Sequence, residues 1–256
     1  MCPWISAKRI LKLEEKAPSL KHFKNYTLGE SYSEDSKLIS DQELWSLVGN
    51  YPEASSAKGT CIGIDQGDVF HLIIGRLERI EGTNLFRKKI IAFKTAKNPK
   101  EVENILDRYD MRIGIIDALP NKHTAKGLAS KFKGRLFLSY YSTGMLAKEH
   151  YDLANWTPNE SRVEIQRTES LDNLFDCLYK RQFVFPKFSD NMKTVIRHFK
   201  NLSVNYQTRY GFTVKVWNAT GADHFVHALN LLNIAFDRSP GYLTMKESLK
   251  TSIRYS

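Results

Sequence analysis

The chain has 256 residues, 42% hydrophobic and 12% aromatic, enough for one sizeable core with at most a small appendage. No apolar run is long enough to span a bilayer, and the charged N-terminus MCPWISAKRILKLEEK lacks the apolar stretch of a signal peptide. Three distant cysteines (Cys2, Cys61, Cys177) exclude a disulfide framework or cysteine zinc site, and a net charge of +10 makes a polyanion the expected partner, nucleic acid before acidic membrane.

Residues 1–57 carry seven Lys/Arg against eight Asp/Glu, so the positive excess belongs to residues 58–256. The first segment mixes short amphipathic pieces (SAKRILKLEEKA, SDQELWSLVG) with polar stretches, and is expected to pack loosely or to belong to another domain. From Gly59 the pattern changes. TCIGID, DVFHLIIGRLERI and FRKKIIAFKT read as three turn-joined strands of an antiparallel meander, with Gly75 a candidate bulge. PKEVENILDRYD is a helix with Pro99 in its first turn. MRIGIID is a continuous apolar strand of the kind covered on both faces. A helix (NKHTAKGLASKF), a strand (RLFLSYYS) and a shorter strand (SRVEIQRT) follow. Two helices come next, ESLDNLFDCLYKRQF and DNMKTVIRHFKNL, the second capped by Ser189 or Asp190. A hairpin (LSVNYQ, GFTVKVW), turned through Thr208 to Gly211, precedes the last helix, ADHFVHALNLLNIAF. A meander feeding alternating strands and helices predicts an α/β fold: a mixed sheet with helices on both faces.

Two aspartates end apolar strands: Asp65 after Cys61-Ile62-Gly63-Ile64, and Asp117 after Ile113-Gly114-Ile115-Ile116. The helix between the third and fourth strands lets the fourth return parallel to the first. As neighbours the two would lie about 4.8 Å apart, at the strand ends where open α/β sheets bind ligands. Carboxylates placed so close repel unless a cation lies between them. Asp223 opens the last helix, where Asp223, His227 and Asn230 form one stripe and Phe225, Leu229, Leu232 and Phe236 another, expected to be the buried one. Three hard oxygen ligands without cysteine suit Mg²⁺ or Mn²⁺, and two such ions about 3.5–4 Å apart hydrolyse phosphodiesters. The plainer alternatives are a turn acid at Asp65, capping Gly67, and a dipole-favoured acid at Asp223.

The segments GIDQG (63–67), GIIDALPN (114–121) and GADHFVHALNLL (221–232) resemble the three acidic motifs of the nuclease domain of tailed-bacteriophage large terminases. FKNYTLGESY (23–32) resembles the stretch that connects the packaging ATPase to that nuclease. The resemblance covers roughly residues 58–240. It implies a ribonuclease H-like fold and metal-dependent endonuclease cleavage of concatemeric double-stranded DNA with two Mg²⁺ or Mn²⁺ ions. Asp65 would bridge both ions, Asp117 would complete one site and Asp223 the other; beside them, Gln66 and His227 are candidate supporting residues, with a partly buried packing role the plainer reading of His227. It further implies the packaging ATPase domain, the portal and the small terminase subunit as partners, and a location in the host cytoplasm at the procapsid portal, outside the mature virion. No G-x-x-x-x-G-K-[ST] loop occurs, so the chain is expected to be a C-terminal fragment or split-gene product, with residues 1–57 the connecting segment and 58–256 the nuclease. Where some relatives carry an extra acid beside the third aspartate, this chain has Ala222 and His224.

Two basic clusters are candidates to track a DNA backbone. One holds Lys122, Lys126, Lys131, Lys133, Arg135 and Lys148. The other holds Arg181, Lys187, Lys193, Arg197, Lys200, Arg209 and Lys215. Competing readings are a resolvase- or transposase-like nuclease of the same fold and a DNA-binding module without catalysis.

Overall fold

The meander forms as the sequence predicts: β1 (Thr60–Gln66), β2 (Phe70–Arg79) and β3 (Phe86–Ala96) pair antiparallel, with the register slipping between Ile74 and Gly75. The structure is a computed structural model that describes residues 6–17, 23–29, 39–83, 86–142, 153–209 and 212–239. Helix α1 (Ala7–Lys16) and the five-residue α2 (Asp41–Trp45) precede the meander. Helix α3 (Pro99–Arg108), capped by Asn98 and started by Pro99, carries the chain back so that β4 (Met111–Asp117) runs parallel to β1. Helix α4 (Lys122–Lys131), β5 (Leu136–Ser142), β6 (Ala154–Thr157) and β7 (Arg162–Gln166) extend the sheet on that side. Helix α5 (Arg167–Tyr179), the two-residue β8 (Phe183–Val184) and α6 (Asp190–Lys200) lead to the hairpin of β9 (Leu202–Arg209) and β10 (Phe212–Ala219). Helix α7 (His224–Phe236) closes the fold.

The eight-stranded sheet has the order β6-β7-β5-β4-β1-β2-β3-β8, with the hairpin as a separate two-stranded ribbon. An antiparallel meander whose first strand then pairs parallel to the fourth, with helices on both faces, is a ribonuclease H-like fold. Strand alternation splits the core in two. Ile62, Ile64, Leu72 and Ile116 pack with α3 and α4 on one face. Cys61, Ile73 and Ile115 pack with α5, α6 and α7 on the other. No helix among the described residues is long and apolar enough to cross a membrane.

Three expectations need correction. Residues 39–57 do not pack loosely. Leu44 and Leu47 are buried in the α7-side core, Ala54 N donates to Ile91 O at 2.8 Å, and the Tyr51 hydroxyl lies 2.7 Å from Ile90 O and 2.8 Å from Val184 O. Their apolar residues are too sparse to show a periodic pattern, so only the tertiary fold reveals the docking. Helix α7 has no exposed stripe: every residue from Phe225 to Phe236 is buried, His227 and Asn230 included. Lys215 does not belong to a surface cluster either. It is buried and paired with Asp172 at 2.7 Å, an oxygen that also accepts from Trp217 Nε1 at 2.8 Å, so it ties the hairpin to α5.

Candidate functional site

The pairing of Ile64 with Ile116 sets Asp65 beside Asp117 at the carboxyl ends of two parallel strands. Both isoleucines face the α3–α4 core, so the next residue along each strand faces α7. Helix α7 can approach because of the glycines around Asp65. A Cβ on Gly63 would lie 2.0 Å from Ala228 O and 2.4 Å from Leu232 N, so the helix backbone rests directly on β1. A Cβ on Gly67 would lie 2.7 Å from the His224 ring. The G-I-D-Q-G spacing thus brings the first turn of α7, with Asp223 as its N-cap residue, over the ends of β1 and β4.

Neither Asp65 nor Asp223 makes the turn or cap bond that its place in the sequence suggests. Asp65 is 4% exposed, and its Oδ2 lies 2.8 Å from His224 Nδ1. It does not cap Gly67, whose N–H goes to Val69 O. Asp223 makes no side-chain cap bond; its Oδ2 instead lies 3.1 Å from His227 Nε2. Asp117 accepts from Leu119 N through Oδ1 at 3.1 Å. Gln66 Nε2 donates to the Asp117 backbone carbonyl, linking the two strand ends.

The electrostatics are those of crowded acids. Burial, with Asp65 adding to it, raises the Asp117 carboxyl to about 6 against an opposing bond from Leu119 and the nearby His227. Burial also acts to raise Asp223, but the bond from His227 and the nearness of His227 and His224 outweigh it and leave the carboxyl lowered. The hydrogen bond to Asp65 raises His224. Behind it, His71 stacks on His224 at 4.7 Å and His198 lies 6.0 Å from His224, both lowered to about 4, first by burial and then by His224, with His198 adding to it for His71 and Arg197 for His198. His198 Nδ1 accepts from Phe225 N at 3.1 Å, fixing the entry of α7.

One histidine is therefore bonded to Asp65 and another to Asp223. Among the described residues, no group of three or more His, Cys, Asp and Glu side chains is placed so that it could hold a metal ion as it stands. The three aspartates lie at the same end of the sheet, but their side chains do not converge into a ligand group. The sequence singles out the acids, Gln66 and His227, and does not anticipate that His71, His198 and His224 gather beside them. His71 was within reach, because it pairs with Asp65 across the short β1–β2 turn. His198 carried no signal, since α6 meets α7 only in the tertiary fold.

The basic residues divide by position. Lys122 opens α4 just after Asp117, with Lys126 exposed one turn on. Lys133 and Arg135 follow the far end of α4, about 15 Å away along a ten-residue helix. Arg135 Nη1 donates to Met111 O, at the opposite end of β4 from Asp117. Those two do not flank the acids. On the other face Lys193, Arg197 and Lys200 are exposed along α6, which ends against the first turn of α7. Lys193 pairs with Asp190 at 3.1 Å and Lys200 with Asp41 at 2.7 Å. The side chain of Arg209 and the whole of Lys148 lie outside the described residues.

No family model matches the chain, and no curated protein does. Solved structures do. The large terminase nuclease from thermophilic phage G20c is 16% identical, with 77% of this chain and 96% of that one covered at a TM-score of 0.48. The chain is similar to the nuclease part of phage large terminases. The large terminase of a second thermophilic bacteriophage, in complex with ADP, is 12% identical, covering 89% of this chain and 51% of that one, with a TM-score of 0.49. This chain thus spans about half the length of that full terminase. The g2p nuclease domain of bacteriophage SPP1, solved with bound Mn, is 16% identical over 80% of this chain and 94% of that one, with a TM-score of 0.39. Similarity at this level does not transfer an activity, and what the site can do rests on its own residues.

Proposed function

We propose that the chain is a metal-dependent endonuclease that hydrolyses double-stranded DNA, acting as the nuclease of a viral DNA-packaging terminase. One observation carries the reading: Asp65 and Asp117 stand side by side at the ends of parallel strands, and α7 brings Asp223 to the same end. Two buried carboxylates in that relation, one raised to about 6, suit a site whose charge a cation is meant to balance. The donor set fits hard divalent ions, since all three acids offer oxygen. Asp65 would serve both ions, Asp117 one and Asp223 the other, as the motif resemblance implies. Two bound Mg²⁺ or Mn²⁺ ions would supply the positive charge that activates the attacking water and stabilises the leaving oxygen.

The chain's own residues do the positioning. Gln66 fixes the end of β4 through the Asp117 carbonyl, and His227 and His224 hold one oxygen each of Asp223 and Asp65. Lys122 and Lys126 on one side, and Lys193, Arg197 and Lys200 on the other, supply phosphate contacts that need no base recognition. In the packaging setting, the partners would be the ATPase domain, the portal and the small subunit, in the host cytoplasm.

The test is plasmid nicking and linearisation in Mn²⁺ and in Mg²⁺, with EDTA as control, for the wild type and for Asp65→Asn, Asp117→Asn and Asp223→Asn. Each substitution should abolish most of the activity while leaving DNA binding in Ca²⁺ intact. Wild-type cutting by Asp117→Asn, or cutting in EDTA, would sink the two-ion reading. Preferential cutting of four-way junctions over linear duplex would move the assignment to a resolvase.

A further inference from the structure

Behind Asp223 runs a buried hydrogen-bond chain whose direction is set by its far end. Ser170 and Asn230 are fully buried and His227 is 8% exposed, so water does not compete for their bonds. Asn230 Nδ2 lies 2.9 Å from Ser170 Oγ and 3.1 Å from the Tyr141 hydroxyl. Ser170 Oγ spends its own hydrogen on Arg167 O at 3.1 Å. The amide nitrogen can only donate, and its two hydrogens match these two acceptors. Tyr141 therefore accepts from Asn230 and has its own hydrogen left for His227 Nδ1, 3.1 Å away. An imidazole that accepts at Nδ1 carries its proton at Nε2, and that nitrogen lies 3.1 Å from Asp223 Oδ2. Burial keeps the Tyr141 hydroxyl protonated, so it stays a donor.

We infer that Tyr141 and Asn230 are positioning residues for Asp223: they hold His227 as the Nε2–H tautomer, which pins Oδ2 and leaves Oδ1 to receive a divalent cation. The inference rests on the metal reading proposed above. Outer bonds of this kind orient a metal ligand, and their loss typically lowers metal affinity about 10–100-fold.

The experiment is calorimetric titration of the full chain with MnCl₂ alone, beside the Mn²⁺ dependence of plasmid nicking. Tyr141→Phe removes only the hydroxyl and should weaken Mn²⁺ binding by about 10–100-fold. In a His227→Gln background, where a side-chain amide donates to Asp223 unaided, adding Tyr141→Phe should change affinity less than about twofold, because the coupling runs through the imidazole. Asn230→Asp, of the same shape, should reverse the chain and give a loss like that of Tyr141→Phe; it serves if the phenylalanine variant does not fold. Wild-type affinity in Tyr141→Phe, or losses from Tyr141→Phe and His227→Gln that simply multiply, would overturn the inference. A wild type that binds no Mn²⁺ would overturn the metal reading instead. The tautomer is then decided by the ¹⁵N spectrum of His227 in the metal-free chain: a proton on Nε2 is expected, and one on Nδ1 alone would overturn the relay.

Discussion

Asp117 is the residue whose setting most directly reports what the site is for. Its carboxyl is raised to about 6 by burial and by Asp65, so the ionised form is the one the metal-free fold disfavours. A raised acid contributes stability that is fully present below the ordinary carboxylate range and is lost as pH rises through about 6. Asp117→Asn should therefore stabilise the EDTA-treated protein at pH 7.5, by on the order of 2 kcal/mol, and have little effect at pH 4. Thermal melts at the two pH values check this; equal effects at both would mean that the strain at Asp117 is not ionic. Cleavage in Mn²⁺ should correspondingly fall as pH drops below about 6, where the proton competes with the cation. Asp223 differs because its bond to His227 keeps it lowered, so it stays ionised where Asp117 does not.

At the scale of elements, the site depends on one close approach. Helix α7 lies on β1 with no side chain between them at Gly63. Gly63→Ala would put a methyl group 2.0 Å from the Ala228 carbonyl, and neither a strand centre nor a buried helix can yield by that much. The expected loss is more than about 3 kcal/mol in urea unfolding, at the severe end for overpacking. Gly127 is the internal control: it sits in α4 with nothing within 4 Å of an added Cβ. Gly127→Ala should be neutral or stabilising by up to about 1 kcal/mol, since alanine favours the helix. If both glycines tolerated alanine alike, α7 would not be held on β1 in the way described. The same approach explains why α7 is buried all round although its sequence carries Asn230 and Asn233. Asn233 is satisfied at both ends by Lys88 and Asn173, and the Asn230 amide nitrogen by Tyr141 and Ser170, whereas Asn230 Oδ1 is buried without a hydrogen-bond partner among the described residues.

For the whole molecule, the question is where the excess positive charge sits. Lys122 and Lys126 on α4, and Lys193, Arg197 and Lys200 on α6, lie on opposite faces of the sheet with the acids between them. The ion pairs of Lys193 and Lys200 are exposed and weak, so a phosphate can displace the carboxylates at little cost. Replacing Lys193, Arg197 and Lys200 together should lower duplex affinity in Ca²⁺ and reduce the slope of log K against log salt by up to about 2–3. Replacing Lys133 and Arg135 should leave that slope unchanged, because they lie at the other end of the sheet. The opposite result would put the DNA across the amino ends of the strands, away from Asp65 and Asp117.

Apart from the short edge strands β6 and β8, the sequence by itself determined the order and type of the main elements from β1 onward, and with it the parallel pairing of β1 and β4. Those depend on local patterns: alternation and apolar runs in strands, caps and Pro99 at helix starts, and a helix long enough to return the chain. It also located Asp65, Asp117 and Asp223 at the ends of elements, where side chains meet solvent and ligands. What it could not determine were contacts made between distant segments. The docking of residues 39–57 along β3, the histidines gathered from β2, α6 and α7, the burial of Lys215 against Asp172, and the Asn230–Tyr141–His227 chain each join residues whose spacing follows no period. Their partners are chosen by how α5, α6 and α7 pack on one face of the sheet. That packing is a property of shape and buried polarity, which only the tertiary structure decided.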